Sequence, residues 1–380
     1  MKKIVVLGAG YVGSAIAREL SQKYTVISAD INQKALNDLK KKGNIGTCNI
    51  DFNDPDVIKA TIKDADIVVS ATPGYLGYNV LKAIIETGKN VVDISFFPED
   101  AFQLDGQAKK AGVTAIVDCG VAPGMPNIIA GYHYSRMKIE SLEFMVGGLP
   151  FERSLPYQYK APFSPVDVLE EYTRPARYVE NGKIITKPAL SEPELVYFDG
   201  IGTLEGFLTD GLRSLIKTLR IPNMKEKTLR YPGHIKNIQL LIDTGLLDTN
   251  PVEFGGVMIK PIDFTSRLLF EKWKLMPEDK EFTIVEVKIR GIEDDKEVLY
   301  KYYMYDKFHE DTKTSSMART TGYTATAAVN LILDGLFNEK GIIPPEYLGK
   351  DEQHFNYIIN YLKDKEVHYY QSRQVIEPEE

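Results

Sequence analysis

The stretch Ile4-Val5-Val6-Leu7-Gly8-Ala9-Gly10-Tyr11-Val12-Gly13 does most to limit what this chain can become, because an apolar strand runs straight into closely spaced glycines and then a helix. Gly8 permits a tight turn, Gly10 lets backbone N–H groups come close to a ligand, and Gly13 lets the helix press against the strand. The positive end of the helix dipole then faces whatever anion lies over the turn.

The residues that follow give this turn its context. Ala15 to Gln22 continues as a helix, Tyr24 to Ala29 reads as a second strand, and Asp30 closes it about twenty residues after the glycines. A carboxylate at that position meets the ribose hydroxyls of an adenosine. We therefore expect a dinucleotide site, with Gly8, Ala9, Gly10, Tyr11, Val12 and Gly13 around the pyrophosphate and Asp30 and Ile31 at the ribose. A carboxylate there repels a ribose 2′-phosphate, and Ile31, Asn32 and Gln33 offer no arginine to accept one. NAD is expected over NADP.

Strands and helices then alternate. Gln33 to Lys42 reads as a helix ending at Gly43, and Gly46 to Phe52 as a short strand whose end, Asp51 and Phe52, is placed to pass the adenine; Asp51 reads equally well as a cap for the helix near Pro55. Asp66 to Ala71 is nearly all apolar, as a strand buried on both faces must be, and it ends in Ala71-Thr72-Pro73-Gly74. Helix Asn79 to Thr87 and strand Asn90 to Ile94 follow, then helix Asp100 to Ala111 and strand Thr114 to Val117. This rhythm gives an α/β fold with a doubly wound parallel sheet, which binds ligands at the carboxyl edge of its strands. Ala71, Thr72 and Pro73, and later Cys119 and Gly120, are expected on that edge beside the cofactor. Asp93 and Asp118 end adjacent late strands, where the nicotinamide would sit, and each is either an active-site carboxylate or a loop cap.

With 380 residues the chain has length for two domains. A net charge of -7 argues against nucleic acid as a partner, since phosphate binding needs a basic face. The first strand follows Met1-Lys2-Lys3 and is broken too soon by Gly8 for a signal peptide or a membrane span, so a cytoplasmic location without a membrane partner is expected. The two cysteines, Cys48 and Cys119, are far apart and read as buried free thiols, and the five histidines show no metal-ligand spacing, so no metal is expected.

From about Ile139 the pattern changes to extended segments with irregular insertions. Strands are expected at Ser141 to Val146, Tyr178 to Val179, Ile184 to Thr186 and Val257 to Pro261, with a hairpin of Phe282 to Gly291 and Val298 to Asp306. Helices are expected at Asp210 to Leu219, His234 to Thr244, Asp263 to Trp273 and Ala325 to Asn338. We place the boundaries at 1–138 for the dinucleotide domain, 139–315 for an α+β substrate and dimerisation domain, and 316–380 for a terminal segment whose helix returns to the first domain. The tail Gln374 to Glu380 reads as acidic and disordered.

Several runs carry a more specific resemblance. Asp118-Cys-Gly-Val-Ala-Pro-Gly-Met, Lys160-Ala-Pro-Phe-Ser-Pro-Val-Asp167, Glu171-Tyr-Thr-Arg-Pro-Ala176, Thr209-Asp-Gly-Leu-Arg213, Thr228-Leu-Arg-Tyr-Pro-Gly-His234 and Ser316-Met-Ala-Arg-Thr-Thr-Gly322 resemble the saccharopine dehydrogenase family, most of all its L-lysine 6-dehydrogenase branch. The resemblance implies NAD(P)-linked oxidation at a C–N bond of a lysine-like amino acid, a homodimer, and a second domain that supplies the substrate pocket. One departure stands out: saccharopine reductases typically carry an acid in a Leu-Asp-Pro-Gly loop, where this chain has Val121-Ala122-Pro123-Gly124.

For lysine 6-dehydrogenation the side-chain amine must be neutral when hydride leaves, yet a free lysine amine has a pKa near ~10.4, so a carboxylate base or a desolvated pocket is needed. Asp118, Asp93 and Asp210 are the candidates. The substrate carboxylate calls for a bidentate arginine or a cluster of donors. Arg230, Arg213, Arg174 and Arg319 are candidates, with Tyr231, His234, Thr320 and Thr321 as neighbouring donors; the two threonines also read as N-caps of the helix that follows. Tyr157, Tyr159 and Lys160 line the pocket mouth or simply pack. The competing functions are a saccharopine or carboxylated-polyamine dehydrogenase and, in another class, a non-catalytic NAD-binding redox sensor.

Overall fold

The structure, a computed structural model, describes residues 1–276 and 278–377. It divides into two units: Met1–Lys138, Ile292–Lys296 and Met317–Tyr369 form one, and Ile139–Gly291, Glu297–Ser316 and the residues from Tyr370 onward the other.

The first unit is built on seven parallel strands. In spatial order they are Gly341–Ile343, Thr114–Ile116, Asn90–Asp93, Ile67–Ser70, Lys3–Leu7, Thr25–Asp30 and Ile45–Asn49. The apolar runs read from the sequence become fully buried strands, with Val5, Val68, Val91 and Ala115 completely enclosed. Lys3–Leu7 lies between the second and the fourth strand of the chain, so the winding direction reverses there and leaves a crevice at its carboxyl end. The glycine turn sits at that crevice.

Helices cover both faces. Tyr11–Leu20 follows the turn, Gly74–Glu86 follows the fourth strand, and Ser316–Leu333 is buried on almost every side, as a helix packed within a domain must be. Gly322 on that last helix lies against the first, where a Cβ would stand 3.2 Å from Ile16 Cγ1. The expected segment Asp100 to Ala111 is a 3₁₀ turn, Ala101–Leu104, leading into a short α-helix, Asp105–Lys110.

The second unit holds a mixed nine-stranded sheet. Its main path runs Glu194–Phe198, Gly202–Leu208, Asn223–Arg230, Lys138–Pro150, Glu281–Glu293, Lys296–Lys307 and Tyr370–Val375, and Ala176–Glu180 with Lys183–Lys187 branch from Asn223–Arg230. Asn223–Arg230 pairs in parallel with Lys138–Pro150 and antiparallel with Gly202–Leu208. Phe207, Trp273, Phe282 and Ile284 anchor the core on this sheet.

Several expectations are corrected here. The helix expected at Asp210 to Leu219 is only Leu215–Thr218, because Asp210 is held by an ion pair and Arg213 takes a left-handed backbone with φ 52°. In the terminal segment Met317–Tyr369 belongs to the first unit, while Tyr370–Val375 pairs antiparallel with Lys296–Lys307 in the second sheet. Gln374 and Val375 are therefore strand residues rather than a disordered tail, while Pro378 to Glu380 lie outside the described residues. Cys48 is half-buried rather than buried, and both thiols are free. Among the described residues no helix is long and apolar enough to cross a membrane.

Candidate active site

The glycine turn is shaped by the protein's own backbone at two positions and by open space at the third. A Cβ on Gly8 would lie 2.3 Å from the Ala71 carbonyl oxygen, and φ there is +114°; a Cβ on Gly13 would lie 2.2 Å from the Gly8 oxygen. At Gly10 a Cβ would meet no protein atom within 4 Å, so the space above it is free for a ligand. No side chain caps the amino end of Tyr11–Leu20 and no acid lies in its first turn. Such an uncapped, positive end beside an open glycine fits a pyrophosphate.

Asp30 sits beside this turn and is fixed by it. Its Oδ2 accepts the Ala9 N–H at 2.6 Å and its Oδ1 the Asn32 N–H at 2.7 Å. Asn49, from the next strand, donates to the carbonyls of Asp30 and Ile31 at 3.1 and 2.9 Å, and holds the strand end in place. Ile31 is exposed. Of the two adenine candidates, Asp51 is exposed and bonds its own loop through Asn53, while Phe52 packs into the core with Ile58 and Ile62.

The next strand ends bring a polar group together. Ser70 and Asp93 are register partners on adjacent strands, and the Ser70, Thr72 and Ser95 hydroxyls lie within 3.1–3.5 Å of one another, all buried. Asp93 is completely buried; its Oδ1 accepts the Ser95 N–H at 2.6 Å, and its Oδ2 has no hydrogen-bond partner among the described residues. Burial pushes the Asp93 carboxyl up to about 7, the hydroxyls of Ser70 and Ser95 and the Ser95 N–H pull it down, and the charge of Asp118 adds to the rise.

Asp118 lies two residues beyond the neighbouring strand, Thr114–Ile116. It is buried, with a left-handed backbone at φ 52°, a conformation that short acidic side chains tolerate. Cys119 donates its N–H to the Asp93 carbonyl at 3.0 Å, which ties the two strand ends together, and burial drives its thiol pKa far up. Gly120 lies against the Ser316–Leu333 helix, where a Cβ would come 3.1 Å from Thr321 Cγ2. Asn127 accepts the Gly124 N–H at 3.2 Å and donates to Glu346 at 3.2 Å, and so braces the far end of this loop.

The first unit thus gathers Gly8–Gly13, Asp30, Ala71–Pro73, Asp93 and Asp118–Gly120 on one sheet edge. Thr320 and Thr321 are not caps, because the helix begins at Ser316; their hydroxyls turn back to the Met317 carbonyl and sulfur. Arg319 is buried and donates to the Lys365 carbonyl at 2.8 Å, at the carboxyl end of helix Glu352–Asp364, where a cation is favoured.

The remaining candidates lie in the second unit. Arg230 is 3% exposed and donates through Nε to Tyr172 Oη (2.9 Å), through Nη1 to the Leu229 carbonyl (3.0 Å) and through Nη2 to Glu171 (2.8 Å). His234 places Nδ1 2.8 Å from the Tyr157 carbonyl and Nε2 2.9 Å from Tyr172 Oη. A carbonyl only accepts, so Nδ1 carries the proton and Nε2 accepts from the tyrosine. Burial and the Arg230 charge push His234 down to about 3 and keep it neutral. Tyr231 donates to the Pro150 carbonyl at 2.9 Å, Arg174 pairs with Glu170 at 3.2 Å, and Arg213 is half-buried. Asp210 receives Arg177 through both oxygens at 2.8 Å, which makes it a structural anchor of its loop.

Sequence reasoning misses Ser70, Ser95, Glu171 and Glu226. Glu226, Thr228 and Arg230 share one face of Asn223–Arg230, and Glu226 accepts from Thr209 at 2.6 Å and from the Gly211 N–H at 3.1 Å. Burial lifts its carboxyl to about 8. The alternation of Glu226, Thr228 and Arg230 is the available signal, masked because Lys225-Glu226-Lys227 looks like a solvated run.

Comparison with known proteins now decides the family. Residues 4–116 match the saccharopine dehydrogenase NADP binding domain and residues 120–367 the saccharopine dehydrogenase C-terminal domain. The chain belongs to the saccharopine dehydrogenase family. Within this family it is 25% identical to alpha-aminoadipic semialdehyde synthase, mitochondrial, of Rattus norvegicus over 90% of this chain, and it spans only 45% of that protein. It is 24% identical to saccharopine dehydrogenase (NADP+, L-glutamate-forming) of Pyricularia oryzae, covering 90% of this chain and 93% of that one. It is 23% identical to carboxyaminopropylagmatine dehydrogenase of Synechocystis sp., covering 92% and 94%. The apo saccharopine dehydrogenase (L-Glu forming) of Saccharomyces cerevisiae shares its fold, with a TM-score of 0.79 at 20% identity over 98% of this chain and 100% of that one. The matched dinucleotide-binding domain, residues 4–116, thus holds the glycine turn and Asp93, and Asp118 lies just beyond it.

Proposed function

We propose that this member of the saccharopine dehydrogenase family is an NAD-dependent amino-acid dehydrogenase acting on a C–N bond of a lysine-like substrate, and specifically an L-lysine 6-dehydrogenase. The observation that carries this reading is the pair Asp93 and Asp118, on adjacent strand ends of the nucleotide-binding edge, one of them held near a neutral pKa. Gly8–Gly13 and Asp30 would hold the dinucleotide, and the fixed Asp30 carboxylate favours NAD over a cofactor with a 2′-phosphate. The nicotinamide supplies a hydride acceptor.

The protein's own residues must manage a proton. A lysine side chain arrives as an ammonium with pKa about 10.4, and it must be neutral before a hydride can leave its carbon. Asp118 attracts the cation. Asp93, with a carboxyl at about 7, takes and returns a proton at working pH. The half-buried Ala122 stands where saccharopine reductases typically carry an acid, so this loop offers no proton to a second amino acid's leaving nitrogen. That favours a primary amine and ammonia release. The dehydrogenases of secondary amines named among its relatives support the second reading, oxidation of saccharopine or a carboxylated polyamine.

The test is absorbance of the reduced cofactor in three reactions: lysine with NAD+, saccharopine with NAD+, and lysine plus 2-oxoglutarate with NADH. Turnover in the first supports the proposal. Silence there with turnover in either other reaction overturns it in favour of the second reading, and tight dinucleotide binding with no turnover on any amine favours a sensor.

A further inference from the structure

The three hydroxyls beside Asp93 form a path with two ends. Asp93 lies at the buried end. Thr72 lies at the other, directly after Ala71, whose carbonyl packs against Gly8 of the glycine turn. The links are Thr72 Oγ1 to Ser95 Oγ at 3.1 Å, Thr72 Oγ1 to Ser70 Oγ at 3.5 Å and Ser95 Oγ to Ser70 Oγ at 3.4 Å, and the hydroxyls of both serines act on the Asp93 carboxyl, Ser70 as its cross-strand partner. Ser95 is also clamped from above, since a Cβ on Gly77 of helix Gly74–Glu86 would lie 2.6 Å from Ser95 Cβ. A serine so held keeps its hydroxyl aimed at its two neighbours.

Three clustered hydroxyls beside a carboxyl are a costly way to fill a core, since methyl groups of the same size pack without a polar group to satisfy. Each hydroxyl both donates and accepts, so the set can pass a proton in either direction. The proton would rest on the buried Asp93 carboxyl, on which the Ser70 and Ser95 hydroxyls act and whose Oδ2 is buried. The ionisable groups that face Asp93 are Asp118 and Cys119; the charge of the first raises the Asp93 pKa, and the second stays a neutral thiol.

We propose that Thr72, Ser95 and Ser70 form a proton relay between the buried Asp93 carboxyl and the sheet edge beside the glycine turn. Thr72 Oγ1 takes a proton from the edge and gives its own to Ser95 Oγ or Ser70 Oγ. Either serine protonates the Asp93 carboxylate, so that each step breaks one O–H bond and makes another with no change of oxidation state. The reverse sequence empties the store. Its purpose rests on the reading of the site as an amine dehydrogenase, which must remove a proton for every amine oxidised, but its test needs no turnover.

That test is infrared difference spectroscopy of the whole protein. The carboxylic-acid carbonyl band assigned to Asp93 by its loss in Asp93→Asn is followed in time after transfer to heavy water at neutral pH. The parent is expected to exchange its carboxyl proton quickly; Thr72→Val removes the hydroxyl that feeds both serines, and the double variant Ser70→Ala, Ser95→Ala removes both routes onward, so each slows exchange by about tenfold or more, the equivalent of at least one lost hydrogen bond. Thr72→Ser, which keeps the hydroxyl, restores the parent rate, a result that a purely packing role for Thr72 would not give. If Thr72→Val does not fold, the double serine variant and Thr72→Ser still decide the matter. Equal exchange rates in parent and variants, or no protonated Asp93 band at neutral pH, overturn the relay. Failure of the amine-oxidation assay would overturn the function and leave this measurement standing.

Discussion

Asp93 makes stability depend on pH in a direction opposite to most carboxylates. Its pKa rises from 3.8 to about 7 on folding because burial penalises the charged form. Between about pH 4 and about pH 7 the folded protein therefore holds a proton that the unfolded chain has lost, and stability falls as pH rises through that window. The shift corresponds to roughly 4 kcal/mol of penalty in full above pH 7, accumulating at up to about 1.4 kcal/mol per pH unit. Asp93→Asn resembles the protonated acid in shape and cannot ionise. Urea unfolding followed by circular dichroism from pH 4 to 8 should show parent and variant close in stability at the acid end. The variant should gain on the parent steadily until about pH 7 and hold its advantage beyond. Glu226, raised to about 8, adds a similar slope to both proteins and cancels in the difference. A difference that stays flat across the range would refute the placement of Asp93 as a strongly desolvated acid.

Four further substitutions probe the edge around it. Gly8→Ala forces a side chain at φ +114° into the Ala71 carbonyl and should lower stability by roughly 1–3 kcal/mol or more, whereas Gly10→Ala meets no protein atom, should melt like the parent, and should weaken dinucleotide binding; equal melting losses would contradict this division. Asp30→Ser removes the acceptor of the Ala9 N–H and the charge at the ribose, so NAD binding should weaken by about tenfold while the preference over NADP narrows, and an unchanged ratio in titrations would count against the cofactor argument. Asp118→Asn should lower kcat by about a hundredfold or more with NAD affinity nearly unchanged, and parent-like turnover would remove Asp118 from the chemistry.

The first sheet is legible in the sequence because its signal is local: apolar runs ending in glycine or acid, spaced by amphipathic helices, place Gly8–Gly13, Asp30, Asp93 and Asp118 on one edge without knowledge of any distant contact. Its seventh strand, Gly341–Ile343, is not, since three residues far along the chain carry no period and take their place only by pairing with Thr114–Ile116. The second sheet depends on such distant pairing throughout, and Asn223–Arg230 looks solvated because Lys225-Glu226-Lys227 is a charged run, whereas the fold pairs Lys227 with Glu194 and buries Glu226 against Thr209 and the Gly211 N–H. Asp210 shows a further limit: Asp-Gly-Leu-Arg has the composition of a helix start, but Arg177 captures the carboxylate and the backbone turns away. Arg319 and Arg230 likewise look like substrate ligands in the sequence, while the fold gives each a partner of its own.

Oxidation of a side-chain amine is the central claim, and the most direct measurement follows the nitrogen. Purified protein is given NAD+ and lysine isotopically labelled at its side-chain nitrogen only, and the ammonia released is compared with the NADH formed. Labelled ammonia in equal amount to NADH is the expected result. Unlabelled ammonia, or NADH formed only from saccharopine or a carboxylated polyamine with no ammonia at all, would contradict it.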